Sequence, residues 1–298
     1  MKRELYEEQQ ARKKRQGELS DLIKSTHEDI REKGWEAGTA QNPEHLLKYA
    51  SAMKTLATEM WQTSRHHDDR ILWALECTGQ FYREGGLVKV LEKNIRREKY
   101  AKDGVLPSPE SVCAARGDTL DVCQGRRIRL LDVGSCFNPV KTHPLTSALQ
   151  IEPCAIDLCP APESISDVET MDWLKSDQVE KFRGSMDVVL MSLVLSYIPT
   201  PVLRFRALQH ALRSLRYYGL LLLVHTRTQG PRSGEWITEW ESVLTSLGCV
   251  RYVRQIKRHV VCQAFIKMVP DTEEFARAWD RETLAGVCAK LKITADSK

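Results

Sequence analysis

The chain has 298 residues, 28% of them charged and 42% hydrophobic, and a net charge of +4. That length suits two compact units better than one, and the balance is that of a globular protein, not a fibrous or disordered chain. So small an excess of positive charge excludes a wholesale nucleic-acid-binding surface. No apolar run reaches the ~20 residues that span a bilayer, so no membrane insertion is expected.

Met1 to Gly17 is mostly polar and charged, so no secretory leader is expected. Residues 1–104 read as helical throughout. Leu19, Leu22, Ile23, Thr26, His27 and Ile30 recur at helical spacing. Asn42-Pro43 offers an N-cap followed by proline at the first helical position, where its missing N–H is not needed. Behind it, Leu46, Leu47, Ala50, Met53, Leu56, Ala57, Met60 and Trp61 form one broad apolar stripe. A third segment carries Ile71, Ala74, Leu75, Thr78, Phe81 and Tyr82 and stops at Gly85-Gly86. Residues 87–102 suggest a further, basic helix. These segments predict a small N-terminal helical domain over 1–104.

Residues 105–126 hold Gly, Pro and Ser with little periodicity and read as a linker. From 127 to 298 the pattern changes. Strand candidates at 128–133, 155–158, 188–193, 220–224, 250–256 and 260–266 alternate with helix candidates at 201–215 and 234–247. Such alternation predicts an α/β, Rossmann-like domain with a mostly parallel sheet covered on both faces. The last two strands, a few residues apart around Lys257-Arg258, read as an antiparallel pair. Phe275, Trp279, Val287 and Leu291 suggest a closing helix.

Nine cysteines are scattered without a CxxC pair or a zinc-like grouping with histidine, which points to reduced thiols and a cytoplasmic protein. Charge is unevenly spread. Residues 151–187 hold nine acidic and three basic groups, a balance of −6, and residues 204–259 hold ten basic and three acidic, a balance of +7. The basic stretch is a candidate docking face; the bland alternative is charge distributed over solvated helix faces.

The most informative stretch is Leu130–Pro139, Leu-Leu-Asp-Val-Gly-Ser-Cys-Phe-Asn-Pro. A strand ends at Asp132-Val133-Gly134 and a short loop follows. Gly134 lets backbone approach a nucleoside closely, and Asn138 tolerates a left-handed conformation and can cap a helix starting at Pro139. Asp157 ends the next strand, where a carboxylate can accept from both ribose hydroxyls. Dinucleotide sites share that pair, but a pyrophosphate calls for more glycines at the helix start, and here Cys136 and Asn138 stand in their places. A ligand without phosphates fits better, and S-adenosylmethionine is one. Asp172 could meet the adenine amino group. Trp173 reads either as a wall beside the base or as core, and Ser192 would end the fourth strand facing the ligand.

Leu130–Pro139 together with Ser192–Pro199, Ser-Leu-Val-Leu-Ser-Tyr-Ile-Pro, resembles the SAMTOR family of S-adenosylmethionine sensors upstream of the TOR kinase complex. That family is related to the fungal enzyme that methylates N1 of an adenine in large-subunit ribosomal RNA. Tyr49–Leu56 and Arg70–Trp73 extend the likeness into the helical segment. The resemblance implies a class I methyltransferase domain in which Gly134 and Asp157 hold the methionine-side backbone and the ribose. Asp172 and Trp173 would hold the adenine, and Ser192 would line the pocket. It also implies that Arg70 reaches the ligand's carboxylate; by itself, Arg70 reads as a surface ion-pair residue. S-adenosylhomocysteine enters as a second ligand. The partners implied are the GATOR and KICSTOR complexes, bound when ligand is absent, with any lysosomal association made through them.

The alternative is an RNA adenine methyltransferase using the same pocket. N1 of adenine is a neutral lone pair and needs no general base, so the lack of an acid–base dyad does not exclude an enzyme. The Asn/Asp-Pro-Pro-Tyr motif of exocyclic-amine methyltransferases is missing, Ser192-Leu-Val-Leu195 standing in its place. No catalytic residue can be named.

Overall fold

The computed structural model describes residues 2–34, 43–61, 68–90, 92–93, 125–227, 235–268, 286–288 and 290–291. Asn42, the linker up to residue 124, most of the basic helix expected at 87–102 and the Phe275–Trp279 part of the closing helix lie outside them.

Three helices come first: α1 Lys2–Lys33, α2 Pro43–Thr55, which runs into a π-helical turn at Leu56–Trp61, and α3 Asp68–Tyr82. The α1 stripe is buried where its spacing predicts, at Ile23, Thr26, His27 and Ile30. Past α3, Gly85 takes φ +80°, the left-handed conformation that ends helices, as its sequence position suggests.

Seven strands form one sheet. They are β1 Ile128–Val133, β2 Ile151–Asp157, β3 Glu169–Thr170, β4 Met186–Ser192, β5 Leu215–Thr226, β6 Cys249–Ile256 and β7 Val260–Lys267. Their order is β3-β2-β1-β4-β5-β7-β6, with β1 to β5 parallel and β7 antiparallel to both neighbours. The antiparallel β6–β7 pair matches the reading of the sequence. β7 lies inside, between β5 and β6, and burial follows from that position: Val261 to Lys267 are all buried, whereas β6 is mostly half-buried or exposed. β3, only two residues long, is too short to show alternation and escaped the reading.

Alternation assigns the faces. Ile128, Leu130, Val188, Leu190, Leu220 and Leu222 point to one side; Leu131, Val133, Val189, Met191, Leu221 and Leu223 point to the other. The second side is covered by α7 Pro201–Ser214 and α8 Glu235–Ser246, and Cys288 and Leu291 are buried against it. (α4 Pro139–Thr142, α5 Pro144–Ala148 and α6 Ser176–Val179 are short connecting helices.) The first side is covered by α3, whose Ile71, Trp73, Leu75 and Phe81 share one core with the strands. Tyr82 adds a hydrogen bond from its hydroxyl to Asp187 O at 2.7 Å. Packing therefore crosses residue 104, and α3 shares its core with the sheet and not with α1 and α2 alone. α1 and α2 have a small cluster of their own around Ile23, Ala52 and Leu56.

Candidate functional site

The strand order turns back at β1: the chain builds outward through β2 and β3, then returns to β1's other side with β4 and β5. Open α/β sheets bind ligands at that switch point, beyond the carboxyl ends of the strands. A cavity lies there, floored by the ends of β1, β2 and β4 and roofed by α1 and α2.

Gly134 follows β1 with φ +76°. Its N–H and that of Ser135 both donate to Ile156 O, at 2.9 and 3.0 Å. Those two donors are engaged within the sheet and are not offered to a phosphate. A Cβ on Gly134 would come 2.7 Å from Val194 Cγ2. Protein packing and the left-handed backbone therefore themselves demand glycine here. Val194 is set there by Leu193, itself left-handed at φ 66° in the turn after β4. Asn138 behaves as its residue type suggests, left-handed at φ 52° and accepting Lys141 N–H through its side chain at the start of α4.

Asp157 stands at the tip of β2, facing the cavity, with Oδ1 accepting Cys159 N–H at 2.8 Å. Asp132, at the end of β1, lines the same cavity and accepts from Ser135 Oγ. Burial raises both carboxyls to about 7; for Asp157 the neighbouring Asp132 adds to the rise, and for Asp132 the Ser135 hydroxyl and Arg70 oppose it. Arg70, on α3, reaches the cavity and donates to Ser192 Oγ at 3.2 Å. Burial lowers its pKa, while Tyr197 and Asp132 pull it back up.

Gly134, Asp157, Arg70, Ser192 and Trp173 are thus brought to one cavity. Trp173 is wall and core at once, its Nε1 donating to Ala207 O at 3.1 Å. Asp172 is not among the lining residues. Its Oδ1 accepts Leu174 N–H at 3.0 Å and its N–H donates to Gln178 Oε1 at 2.9 Å, so it holds the Trp173–Leu174 turn.

The roof adds residues that sequence reasoning did not single out. His27 of α1 stacks on Tyr197, ring centroids 4.2 Å apart and 5° from parallel, and meets Tyr49 of α2 edge-on at 5.2 Å. Neither nitrogen of His27 has a hydrogen-bond partner among the described residues, and burial, with Arg31 nearby, lowers its pKa to about 4. Tyr49 and Tyr197 are half-buried, and loss of water around their hydroxyls pushes their pKa values above the usual phenol range. In the sequence, His27 stands in the α1 apolar stripe, where it reads as core, and Tyr49 stands out only as the first residue of the Tyr49–Leu56 segment that carries the family resemblance. The roof is tied to the sheet domain by Lys54 Nζ to Glu163 Oε1 at 2.8 Å, Arg31 to Ser196 O at 3.4 Å and Cys136 Sγ to Ala50 O at 3.4 Å.

The basic stretch at 204–259 does not form a single free face. Arg204 is fully buried, holding Ile198 O, Pro199 O and Leu291 O, and Arg251 and Arg254 both pair with Glu241. Among the described residues there is no cluster fit for a metal ion. Nor is any described helix long and apolar enough to cross a membrane.

A switch-point cavity with a glycine turn whose first two N–H groups are engaged and a strand-tip carboxylate fits a phosphate-free nucleoside, and the sheet that carries it is that of a class I methyltransferase domain. The model of the family described as 25S rRNA (adenine(2142)-N(1))-methyltransferase, Bmt2, matches residues 86–226. A Danio rerio protein named S-adenosylmethionine sensor upstream of mTORC1 is 31% identical, over 89% of this chain and 74% of that one. Its Xenopus tropicalis namesake is 30% identical, over 85% and 70%. The chain belongs to the family of these S-adenosylmethionine sensors. Among solved structures it is similar to the Burkholderia thailandensis 1,6-didemethyltoxoflavin-N1-methyltransferase, at 14% identity and a TM-score of 0.40, over 69% of this chain and 91% of that one.

Proposed function

We propose that this chain is a sensor that binds S-adenosylmethionine in the cavity between the α1–α2 roof and the sheet and acts upstream of the TOR kinase complex. The observation that carries the reading is the convergence of Gly134, Asp157 and Arg70 on one cavity, in a chain whose relatives carry the sensor's name. Asp157 would accept the ribose hydroxyls, and Arg70 would take the methionine carboxylate in a charge-assisted contact. Ser192 would orient Arg70. Trp173 would wall the adenine, and Asp172 would act on it through the turn it holds.

In this reading the ligand-free protein binds the GATOR–KICSTOR assembly in the cytoplasm, reaching the lysosome through it, and lets go when ligand fills the cavity. Ligand must then bind the released state better than the partner-bound one; a tenfold loss of partner affinity needs about 1.4 kcal/mol of coupling. The roof is the natural element to carry it, since it rests on the sheet domain largely across the cavity. The test is co-precipitation of GATOR and KICSTOR subunits with the full chain while S-adenosylmethionine is titrated. Wild type should release them and Asp157→Ala should not. Release that is identical in both, or no ligand binding by calorimetry, removes the proposal.

The match of residues 86–226 to an rRNA adenine methyltransferase family favours a second reading, methyl transfer to RNA adenine. Incubation with methyl-labelled cofactor and total cellular RNA decides it: robust incorporation supports the enzyme, and background incorporation with intact cofactor binding leaves the sensor.

A further inference from the structure

The charged groups around the cavity are unbalanced. Among the described lining residues, Asp132 and Asp157 supply two carboxyls and Arg70 one guanidinium, so the lining is left with an excess negative charge as the carboxyls ionise above about pH 7. The remaining titratable lining groups do not repair the deficit. His27 on the α1 side is neutral near pH 7, its pKa lowered to about 4, and the Tyr49, Tyr197, Cys136 and Cys159 side chains all have raised pKa values and are uncharged there. Lys54 and Arg31 are nearby cations outside the lining, the first paired with Glu163 and the second bonded to Ser196 O. Apolar and aromatic walls keep the site in low dielectric, where an uncompensated charge weighs far more than in water.

Building on the reading above, we propose that the cavity selects its ligand by charge, holding a sulfonium nucleoside of net positive charge in preference to the neutral thioether that remains after methyl loss. S-adenosylmethionine carries a carboxylate, an ammonium and a sulfonium, hence one net positive charge; S-adenosylhomocysteine lacks the sulfonium and carries none. The cation completes the balance that two aspartates and one arginine leave open. A sensor built this way reports the methylated cofactor and not the sum of both forms.

A proton linkage follows from the same geometry. The two carboxyls sit near pH 7 in the absence of ligand. A cation beside them favours their ionised forms, so binding expels protons, and affinity for S-adenosylmethionine rises as pH increases through about 7. The neutral thioether shifts them less. Selectivity therefore widens from about pH 6 to about pH 7.5, and because both ligands carry the same α-amino group its titration near pH 8 does not by itself distinguish them.

The test is calorimetry on the full chain with three ligands: S-adenosylmethionine, S-adenosylhomocysteine and sinefungin, which carries an amine in place of the methylsulfonium and has the same net charge as S-adenosylmethionine. At pH 7.5 the two cations should bind about tenfold more tightly than the thioether, the change expected when a bound charge moves one neighbouring carboxyl by about one pKa unit. Repetition in buffers of different ionisation enthalpy should show more proton release with the cations than with the thioether. Asp132→Asn should bring all three within about threefold of one another. Equal affinities in wild type at pH 7.5, or sinefungin grouping with the thioether, overturns charge selection while leaving ligand binding intact. Failure of all three to bind overturns both this inference and the proposed function.

Discussion

The helices that precede the sheet carry one sequence signature and meet two fates. α1, α2 and α3 all show apolar residues at helical spacing, yet α3 is built into the sheet's own core, while α1 and α2 form a roof with a small cluster of their own. Trp73, Leu75 and Phe81 are buried against strands, so α3 is as fixed as the sheet; Arg70 at its start is then a rigid arm of the site. The roof is held by fewer buried apolar groups and a handful of polar ties, and it closes the cavity. Periodicity reports that a helix has an apolar face; it does not report what that face meets.

Substitutions can break this contrast. The largest effect is expected from Leu75→Ala, which empties a fully buried position shared with the strands and should destabilise the main unfolding transition by about 2–5 kcal/mol in urea. Gly134→Ala should cost about 1–2 kcal/mol through its left-handed backbone alone, plus the clash with Val194. A companion Val194→Ala should recover part of the loss in melting temperature, and no recovery would mean that backbone strain is the whole effect. Leu56→Ala should act locally, speeding amide exchange in α1 while the amides of β1 and β4 stay protected. Equal loss of protection in both would show that roof and sheet unfold as one unit.

The smallest expected effect sharpens the contrast through pH. Asp132 moves from 3.8 to about 7 on folding, so the folded state keeps a proton that the unfolded chain has lost. The stabilisation from this group is complete below about pH 4 and is lost as pH rises through about 7. His27 runs the other way, from 6.5 to about 4, and the roof gains stability as pH rises across that interval. Asp132→Asn should therefore leave the ligand-free protein nearly unchanged below about pH 4 and raise its melting temperature progressively from there to above pH 7, by a few degrees or more at the top of that range. A drop above pH 7 would mean that the ionised carboxylate is well compensated after all.

The sequence by itself determined the α/β class, six of the seven strands to within a few residues, the left-handed Asn138 cap and the carboxylate at the tip of β2. Each of these follows from local chemistry: residue period, turn-forming types and a polar group placed at the end of an apolar run. Only the tertiary structure decided that α3 belongs to the sheet and that β7 lies inside β6. It also decided that Asp172 holds a turn behind the cavity, that Gly134 answers to Val194, and that His27, Tyr49 and Asp132 join the site. The reason is distance along the chain. A cavity assembled from α1, α2, α3 and three strand ends depends on contacts between residues more than a hundred positions apart, and no period or motif within a single segment encodes them.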